Sequence, residues 1–389
     1  MTDEPRRITL DEVAAAAGVS RMTASYAYNR PGRVADATRE RVYAAAQRLG
    51  FRGPDPSGRH LRRGALRTLG LVLGESLTYV FDDPQASRFV AGIARECTAA
   101  GYGLTLLPVT GSADDPDRIA AAAVDAFVVW TTTADDPVLD AIRATHRRAV
   151  IHGGPDTDGF TLVGIENRGA ARALAADVWA SAAAPAVLSF PLDRVRETGL
   201  HHGLDPEGVP FPVTRDRLAG FRDAAADAGV DWASVPVVVC ARNTAADAAL
   251  AVAELLAAGH RVDGLVAMSD QQALGARQAL DAAGLTTPAE VTLGGFDDSA
   301  EAAAADLTSI HQSLFDQGAR AARLALGDDD AAAVTADDWR LVRRGSTARA
   351  DRDARRIDPP SPHGVRRAMS DRSPASPPTV ASPGPGQER

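Results

Sequence analysis

The stretch TLDEVAAAAGVSRMTASYAYN, residues 9–29, contains the signals for two short helices joined by a tight turn. Thr9 and Glu12 have the spacing of a capping box, in which each side chain bonds the backbone N–H of the other residue. This box predicts that a first helix begins directly after Thr9 and covers residues 10–17.

A second and a third helix follow from the next signals. Gly18 suits the left-handed conformation that ends a helix, and Ser20 suits the N-cap of a helix over residues 21–28. Residues 36–49 place Val, Ala and Leu on one face and form a third helix that covers the first two. The pattern predicts an all-α helix-turn-helix headpiece.

The exposed face of the second helix is polar enough to contact base edges and phosphates in a major groove. The alternative is a small helical bundle that contacts other proteins. For Tyr26 alone the alternative is stronger, because a tyrosine is often a core ring with a hydrated tip. The predicted DNA contacts in this region are Ser20, Arg21, Met22, Thr23, Ser25, Tyr26 and Asn29.

Length and charge restrict what the rest of the chain can be. A chain of 389 residues predicts two or three folded units, and two cysteines are too few for a disulfide framework. With no apolar run of about 18 residues and no signal-peptide core, we expect a cytoplasmic protein.

The charge is unevenly distributed along the chain. The net charge is -9, yet residues 1–66 hold 12 Arg against 7 Asp and Glu. A basic head on an acidic body restricts nucleic-acid contact to the head.

Beyond residue 67, apolar runs alternate with Ala-rich helical stretches. This alternation predicts a parallel, doubly wound α/β arrangement. After residue 347 the composition changes to Arg, Asp, Pro and Ser, which predicts a disordered tail over residues 348–389. The predicted strands are 69–74, 127–130, 149–152, 186–190, 235–241, 265–269 and 291–296.

The order of these segments resembles the LacI/GalR family of bacterial transcriptional regulators. Besides residues 9–29, the resemblance is carried by GPDPSGRHLRRG (53–64), RLAGF (217–221), SDQQALGARQAL (269–280), VTLGGFDD (291–298) and LTSIHQS (307–313). The resemblance implies a DNA-binding headpiece over residues 1–50, a hinge helix over 51–66 and an effector-binding core over 67–347. That core would have the fold of a periplasmic sugar-binding protein.

In this family the core consists of two doubly wound lobes with an effector bound between them. The resemblance implies an N-lobe of about 67–165 plus 291–333, and a C-lobe of about 166–290 plus 334–347. Arg217 would be the effector-contacting arginine and Asp297 its acidic partner, although a surface ion pair and a turn cap would also explain them. The full set of predicted effector contacts is Trp130, Arg217, Ser269, Asp297 and Gln312.

The effector class stays open at this point, because HGG stands at 152–154, where many sugar-responsive members carry Asp. A sugar is the first candidate for the effector, and a nucleoside or another polar metabolite is the second. The third alternative is a core that binds no ligand.

In the hinge, Leu61 matches the leucine that wedges into the minor groove, and Arg59 and Arg62 match phosphate contacts. Gly58 replaces a usual Ala, so we expect the hinge to depend on dimer pairing and DNA for its order.

These features predict an allosteric repressor that acts as a homodimer on a pseudo-palindromic operator. We expect no catalysis, no cofactor and no metal, because adjacent acidic pairs and His201–His202 are better explained as caps and loops. The alternative from another class is a solute-binding receptor with the same core fold. It would require a signal peptide and would retain full activity without residues 1–66.

Overall fold

The computed structural model describes residues 8–51, 66–328 and 338–347. The predicted tail, most of the predicted hinge and the candidate residues Arg59, Leu61 and Arg62 lie outside the described residues.

The helix-turn-helix prediction is confirmed by three helices near the N-terminus. The Thr9 N–H donates to Glu12 Oε2 at 2.8 Å, while the Glu12 N–H donates to Thr9 Oγ1. Gly18 has φ +66°, a conformation that ends the first helix at low cost because glycine has no Cβ. The helices are α1 Leu10–Ala17, α2 Arg21–Asn29 and α3 Asp36–Leu49.

The three helices share one small apolar core. Val13, Ala24, Ala27, Val42 and Ala45 are fully buried in it. Small side chains at these contacts allow the short helices to cross at close range. One face of α2 is therefore committed to packing, and its opposite face remains free for other contacts.

The first lobe of the core contains a five-stranded parallel sheet with the order β2-β1-β3-β4-β5. Strands β1 and β3 are almost wholly buried, which explains their continuous apolar sequences. The strands are β1 Thr68–Leu73, β2 Gly103–Pro108, β3 Ala126–Trp130, β4 Arg148–His152 and β5 Thr161–Val163. The helices of this lobe are α4 Tyr79–Asp82, α5 Pro84–Ala100, α6 Asp115–Ala120, α7 Pro137–Ala144 and, late in the chain, α13 Leu314–Leu326.

Helices α5 and α13 pack with their backbones in contact, and two glycines permit this. A Cβ on Gly92 would lie 2.0 Å from the Phe315 carbonyl oxygen, and one on Gly318 would lie 2.1 Å from the Phe89 carbonyl oxygen. Any larger residue at either position would force the helices apart. This contact fixes α13, the helix that returns from the second lobe, against the first.

The second lobe contains a seven-stranded sheet with the order β12-β11-β10-β9-β6-β8-β7, in which only the edge strands β7 and β12 pair antiparallel. No helix in the described part of the chain is long and apolar enough to cross a membrane. The strands are β6 Pro185–Ser189, β7 Gly199–His201, β8 Val237–Val239, β9 Gly264–Ala267, β10 Thr292–Asp297, β11 Thr308–His311 and β12 Arg340–Val342. The helices are α8 Asn167–Val178, α9 Pro212–Asp227, α10 Ala245–Ala257, α11 Asp270–Ala282 and α12 Ala300–Ala304.

The predicted division of the lobes is wrong for residues 291–311. Strand β10 pairs with β9, with Leu293 opposite Leu265, and β11 pairs with β10, so both strands belong to the second lobe. The chain returns to the first lobe only after His311, at the start of α13. Sheet membership depends on pairing between distant segments, which the local sequence does not encode.

Candidate functional site

A cavity of about 460 Å³ lies between the two lobes, and we call it the cleft. Its walls come from the residues at or just after the carboxyl ends of strands in both sheets, which is where ligands bind in open α/β sheets. Trp130 and His152 stand at such ends in the first lobe, and Phe190 and Asp297 in the second. The fold therefore gathers side chains that are far apart in the sequence.

Arg217 is the cationic centre of the cleft and comes from the buried face of α9. Its Nε donates to Asn167 Oδ1 at 3.0 Å, and its NH1 donates to the Met268 carbonyl oxygen. The guanidinium carbon lies 3.7 Å from the centroid of the Phe296 ring. Burial lowers the pKa of Arg217 to about 10, against the opposing effect of Asp297, so the group stays charged at neutral pH.

Carboxylates from both lobes line the cleft, among them Asp83 and Asp297. Asp297 ends β10 with φ +108° and accepts a hydrogen bond from Gln312 Nε2 at 2.7 Å. Burial, together with the charge of Asp270, raises the pKa of Asp297 well above its usual range, while Arg217 acts against that rise. Asp83 caps α5 through the Ala86 N–H at 2.7 Å, and burial raises its pKa.

Aromatic rings form the apolar part of the walls. The Trp130 ring centroid lies 4.7 Å from that of Phe89 and 6.1 Å from that of Tyr79. Phe190 and Phe211 line the cleft from the second lobe. Rings beside a few charged groups give a surface that binds a ligand with both apolar faces and polar edges.

Polar bonds join the lobes across the cleft. Asn243 Nδ2, which follows β8, donates to Asp83 Oδ2 at 2.8 Å. Arg196, between β6 and β7, donates to Glu75 Oε1 at 2.5 Å and also to the Gly74 carbonyl oxygen. Burial raises the pKa of Glu75, and the bond and charge of Arg196 oppose that rise. These contacts hold the lobes together around the cavity.

The second candidate site is the outward face of α2. The Arg21 side chain is 68% exposed and pairs with Asp11 at 3.2 Å, and Met22 is 64% exposed. Ser20 caps the helix by accepting the Thr23 N–H at 3.1 Å. Ser25 and Tyr26 are partly buried and Asn29 Nδ2 donates to Ser25 Oγ, so these three are less accessible than Arg21.

The structure brings four of the five predicted effector contacts together: Trp130, Arg217, Asp297 and Gln312 line the cleft. It does not place Ser269 on that wall. Ser269 is fully buried, caps α11 through the Gln272 N–H, and donates to Asn243 Oδ1. Ser269 therefore positions Asn243, which does line the cleft, instead of facing a ligand itself.

Several residues that shape the cleft were not among the predicted contacts. Glu75, Asp83 and Arg196 were missed because their importance lies in pairs formed between the lobes. His152 had a sequence signal, since it stands at the end of β4 where many family members carry an acid, but its partner Gln317 lies far away in the sequence.

Comparison with known proteins assigns a family to the headpiece and to the second part of the core. Residues 9–53 match the family described as bacterial regulatory proteins, lacI family, and residues 199–347 match the periplasmic binding protein-like domain. A helix-turn-helix transcriptional regulator of Mycobacterium tuberculosis is 38% identical over 326 residues, which cover 82% of this chain and 91% of that protein. Neither matching family describes an enzyme.

Solved structures extend the likeness to most of the chain. A LacI family regulator from Corynebacterium glutamicum has a TM-score of 0.66 at 29% identity, with 87% of this chain and 98% of that one covered. The complex of the transcriptional regulator CelR with cellobiose has a TM-score of 0.61 at 26% identity, with 87% and 100% covered. With its helix-turn-helix headpiece and two-lobed effector-binding core, the chain belongs to the LacI family of bacterial DNA-binding transcriptional regulators.

Proposed function

We propose that this regulator is a repressor whose affinity for operator DNA is controlled by a neutral, hydroxyl-rich effector, a sugar, bound in the cleft. The observation that carries the proposal is the composition of the cleft: Asp83 and Asp297 face a cavity that also holds Arg217 and aromatic walls. A nucleoside is the second candidate.

A sugar fits this composition for chemical reasons. Each hydroxyl both donates and accepts, so carboxylates such as Asp83 and a guanidinium such as Arg217 can bind one molecule together. Apolar faces of the sugar ring pack on aromatic side chains such as Trp130. A phosphorylated ligand is disfavoured, because burial already opposes ionisation of Asp83 and Asp297 and a further negative charge beside them would oppose it more. The cavity of about 460 Å³ and the similar structure with cellobiose support the same class.

For DNA, we propose that two headpieces of a homodimer bind the half-sites of a pseudo-palindrome. Arg21 and Met22 are the most exposed candidates on α2 and would contact base edges. The remaining proposed contacts are Ser20, Thr23, Ser25, Tyr26 and Asn29 from the headpiece, and Arg59, Leu61 and Arg62 from the hinge segment.

The two sites would be coupled through the lobes. A ligand changes an equilibrium only when its affinity for the two states differs. A sugar that contacts Asp83 in one lobe and Arg217 in the other binds best when the lobes are together. Movement of the lobes would then alter the spacing of the two headpieces and release the operator.

The DNA half of the proposal is tested by selecting sequences from a library of random duplexes with the purified full chain at one stated salt concentration. We expect a pseudo-palindrome whose affinity falls in Leu61→Ala. The matched control is Leu200→Ala, which removes a half-exposed leucine of the core and leaves binding unchanged. Absence of any enriched sequence, or an equal loss in both variants, would contradict the proposal.

The effector half is tested by challenging the operator complex with cellobiose, D-glucose, D-galactose, D-ribose and adenosine. We expect a sugar to release the DNA, and we expect Arg217→Lys to need about tenfold or more of that sugar for the same release. If adenosine alone acts, the nucleoside becomes the effector class. If a sugar strengthens operator binding instead, the protein is a co-repressed regulator with the same cleft.

A further inference from the structure

Three side chains and a carboxylate form a continuous chain of hydrogen bonds along one wall of the cleft, and we call it the relay. Asp297 Oδ1 accepts from Gln312 Nε2 at 2.7 Å. Gln312 Oε1 accepts from Gln317 Nε2 at 3.1 Å. Gln317 Oε1 lies 2.7 Å from His152 Nε2. The relay runs from the end of β10 in the second lobe, through the crossover, to the end of β4 in the first.

The relay has a fixed direction in the charged form of Asp297, the form that Arg217 and the Gln312 bond favour. The Asp297 carboxylate accepts from Gln312, so the amide nitrogen of Gln312 faces Asp297 and its oxygen faces Gln317. The same argument orients Gln317 with its oxygen toward His152. A carbonyl oxygen cannot donate, so His152 Nε2 carries the proton in this bond. In a neutral imidazole, the other nitrogen then holds a lone pair.

That other nitrogen, Nδ1, is buried and has no hydrogen-bond partner within the described part of the chain. His152 is 8% exposed and lines the cleft. Burial lowers the pKa of His152 to about 4, so the ring is neutral at neutral pH. The Phe89 and Trp130 rings lie beside it, with centroids 4.6 and 6.0 Å from that of His152, and neither forms a hydrogen bond with Nδ1. A buried acceptor without a partner costs free energy that a donor from a ligand recovers.

We propose that the relay holds His152 as the Nε2–H tautomer, so that Nδ1 accepts a hydrogen bond from one hydroxyl of the effector. The hydroxyl half of this proposal rests on the proposed function of the cleft, whereas the tautomer half does not. His152 is then a specificity-determining residue, and Gln312 and Gln317 are positioning residues. An effector that presents an ether oxygen or a hydrogen at this point leaves Nδ1 unpaired and binds less well.

The tautomer is measured in the full-length protein without ligand, with ¹⁵N-labelled histidine and long-range proton–nitrogen correlation at pH 7. The signal of His152 is assigned from the one that disappears in His152→Asn. We expect Nε2 protonated and Nδ1 unprotonated. A ring protonated on Nδ1, or a mixture of both tautomers, would overturn the proposal without any reference to effectors.

The relay itself is tested by Gln317→Met, and by Gln312→Met should the first variant not fold. Each removes the amide while keeping similar volume, and we expect the single tautomer of His152 to become a mixture. The matched control is Gln85→Met, which changes a glutamine of the same cleft outside the relay and leaves the tautomer unchanged. If the tautomer stays pure in the relay variants, the relay does not set it and the proposal fails.

The hydroxyl is tested with the sugar that releases the operator and its complete set of monodeoxy analogues. We expect one analogue to bind at least about tenfold more weakly than the parent sugar, and to bind equally to His152→Phe and to the unchanged protein. If every analogue matches the parent, Nδ1 does not contact a hydroxyl. If no sugar binds, the proposed function fails while the tautomer measurement still decides the relay.

Discussion

At the scale of single residues, the cleft keeps a charged arginine by surrounding it with acceptors rather than with solvent. Arg217 donates to Asn167 and to the Met268 carbonyl, and Phe296 covers its face. A buried guanidinium without these contacts would be costly. The same contacts fix the direction in which its remaining donors face the cavity, so shape as well as charge determines what binds.

Arg217→Lys therefore tests geometry at constant charge. Lysine cannot reproduce the planar fork that bonds two acceptors and packs on a ring, so we expect effector affinity to fall about tenfold or more. Operator affinity without effector should stay within about twofold, because α9 lies in the core. Effector titration of the operator complex measures both quantities. Arg172→Lys is the control, since Arg172 forms an exposed ion pair with Asp227 and should show neither change.

Protonation of His152 makes the stability of the folded protein depend on pH. Its folded pKa of about 4 lies below the unfolded value near 6.5, so between these values the unfolded chain binds a proton that the folded chain does not. Stability is therefore lost as the pH falls from about 6.5 to 4, by up to about 3 kcal/mol at about 1.4 kcal/mol per pKa unit. Asp83 and Asp297, whose pKa values are raised, act in the opposite direction.

Urea unfolding at pH 7, 5.5 and 4 measures this effect as the difference between the unchanged protein and His152→Asn. We expect that difference to shrink with falling pH, because the variant lacks the titrating ring. Gln85→Met, which changes a side chain of the same cleft that carries no titrating group, should show no such trend. A difference independent of pH would mean that His152 is not held neutral in the folded state.

At the scale of elements, helix α13 depends on the glycine contact with α5. Gly318→Ala places a methyl group 2.1 Å from the Phe89 carbonyl oxygen, so the helices must separate. We expect a loss of about 1–3 kcal/mol in the free energy of unfolding, as for other overpacked contacts. Urea denaturation measures it. Gly208→Ala is the control, since a Cβ there meets nothing within 4 Å; an equal loss in both variants would contradict the packing argument.

The elements that the sequence predicts best are those with local signals. The headpiece helices were predicted because Thr9, Gly18 and Ser20 cap them through hydrogen bonds to backbone groups three or four positions away. Central strands such as β3 were found because burial on both faces demands a continuous apolar run. Strand β2 was missed because its burial alternates and it lies at a sheet edge.

What could not be predicted depends on contacts between distant segments. Residues 291–311 were assigned to the wrong lobe because only the pairing of β10 with β9 decides their sheet. Ser269 has the residue type and strand-end position of a ligand contact, yet its hydroxyl is occupied by Gln272 and Asn243. His152 likewise gains its role from Gln317, a residue 165 positions away.

At the scale of the whole molecule, the proposed mechanism makes effector affinity depend on how often the lobes are together. Asn243 bonds Asp83 and Arg196 bonds Glu75 across the cleft. If only the closed arrangement binds effector tightly, the apparent affinity scales with its population. Bonds between the lobes can therefore set sensitivity to the effector in addition to the bonds that hold it.

Arg196→Gln tests this dependence. The change removes the charge that offsets burial of the Glu75 carboxylate, whose side chain is only 16% exposed, so closing the lobes becomes less favourable. We expect effector affinity to fall about tenfold, which corresponds to about 1.4 kcal/mol. Most of this loss should come from a smaller population of the closed state.

Calorimetric titration gives the affinity, and small-angle scattering should show a larger radius of gyration without effector. Arg168→Gln breaks an ion pair of similar length, 2.7 Å to Asp223, inside one lobe, and should change neither measurement. If both variants lose affinity equally, the loss reflects general destabilisation; if neither does, the cross-lobe pairs do not control closure.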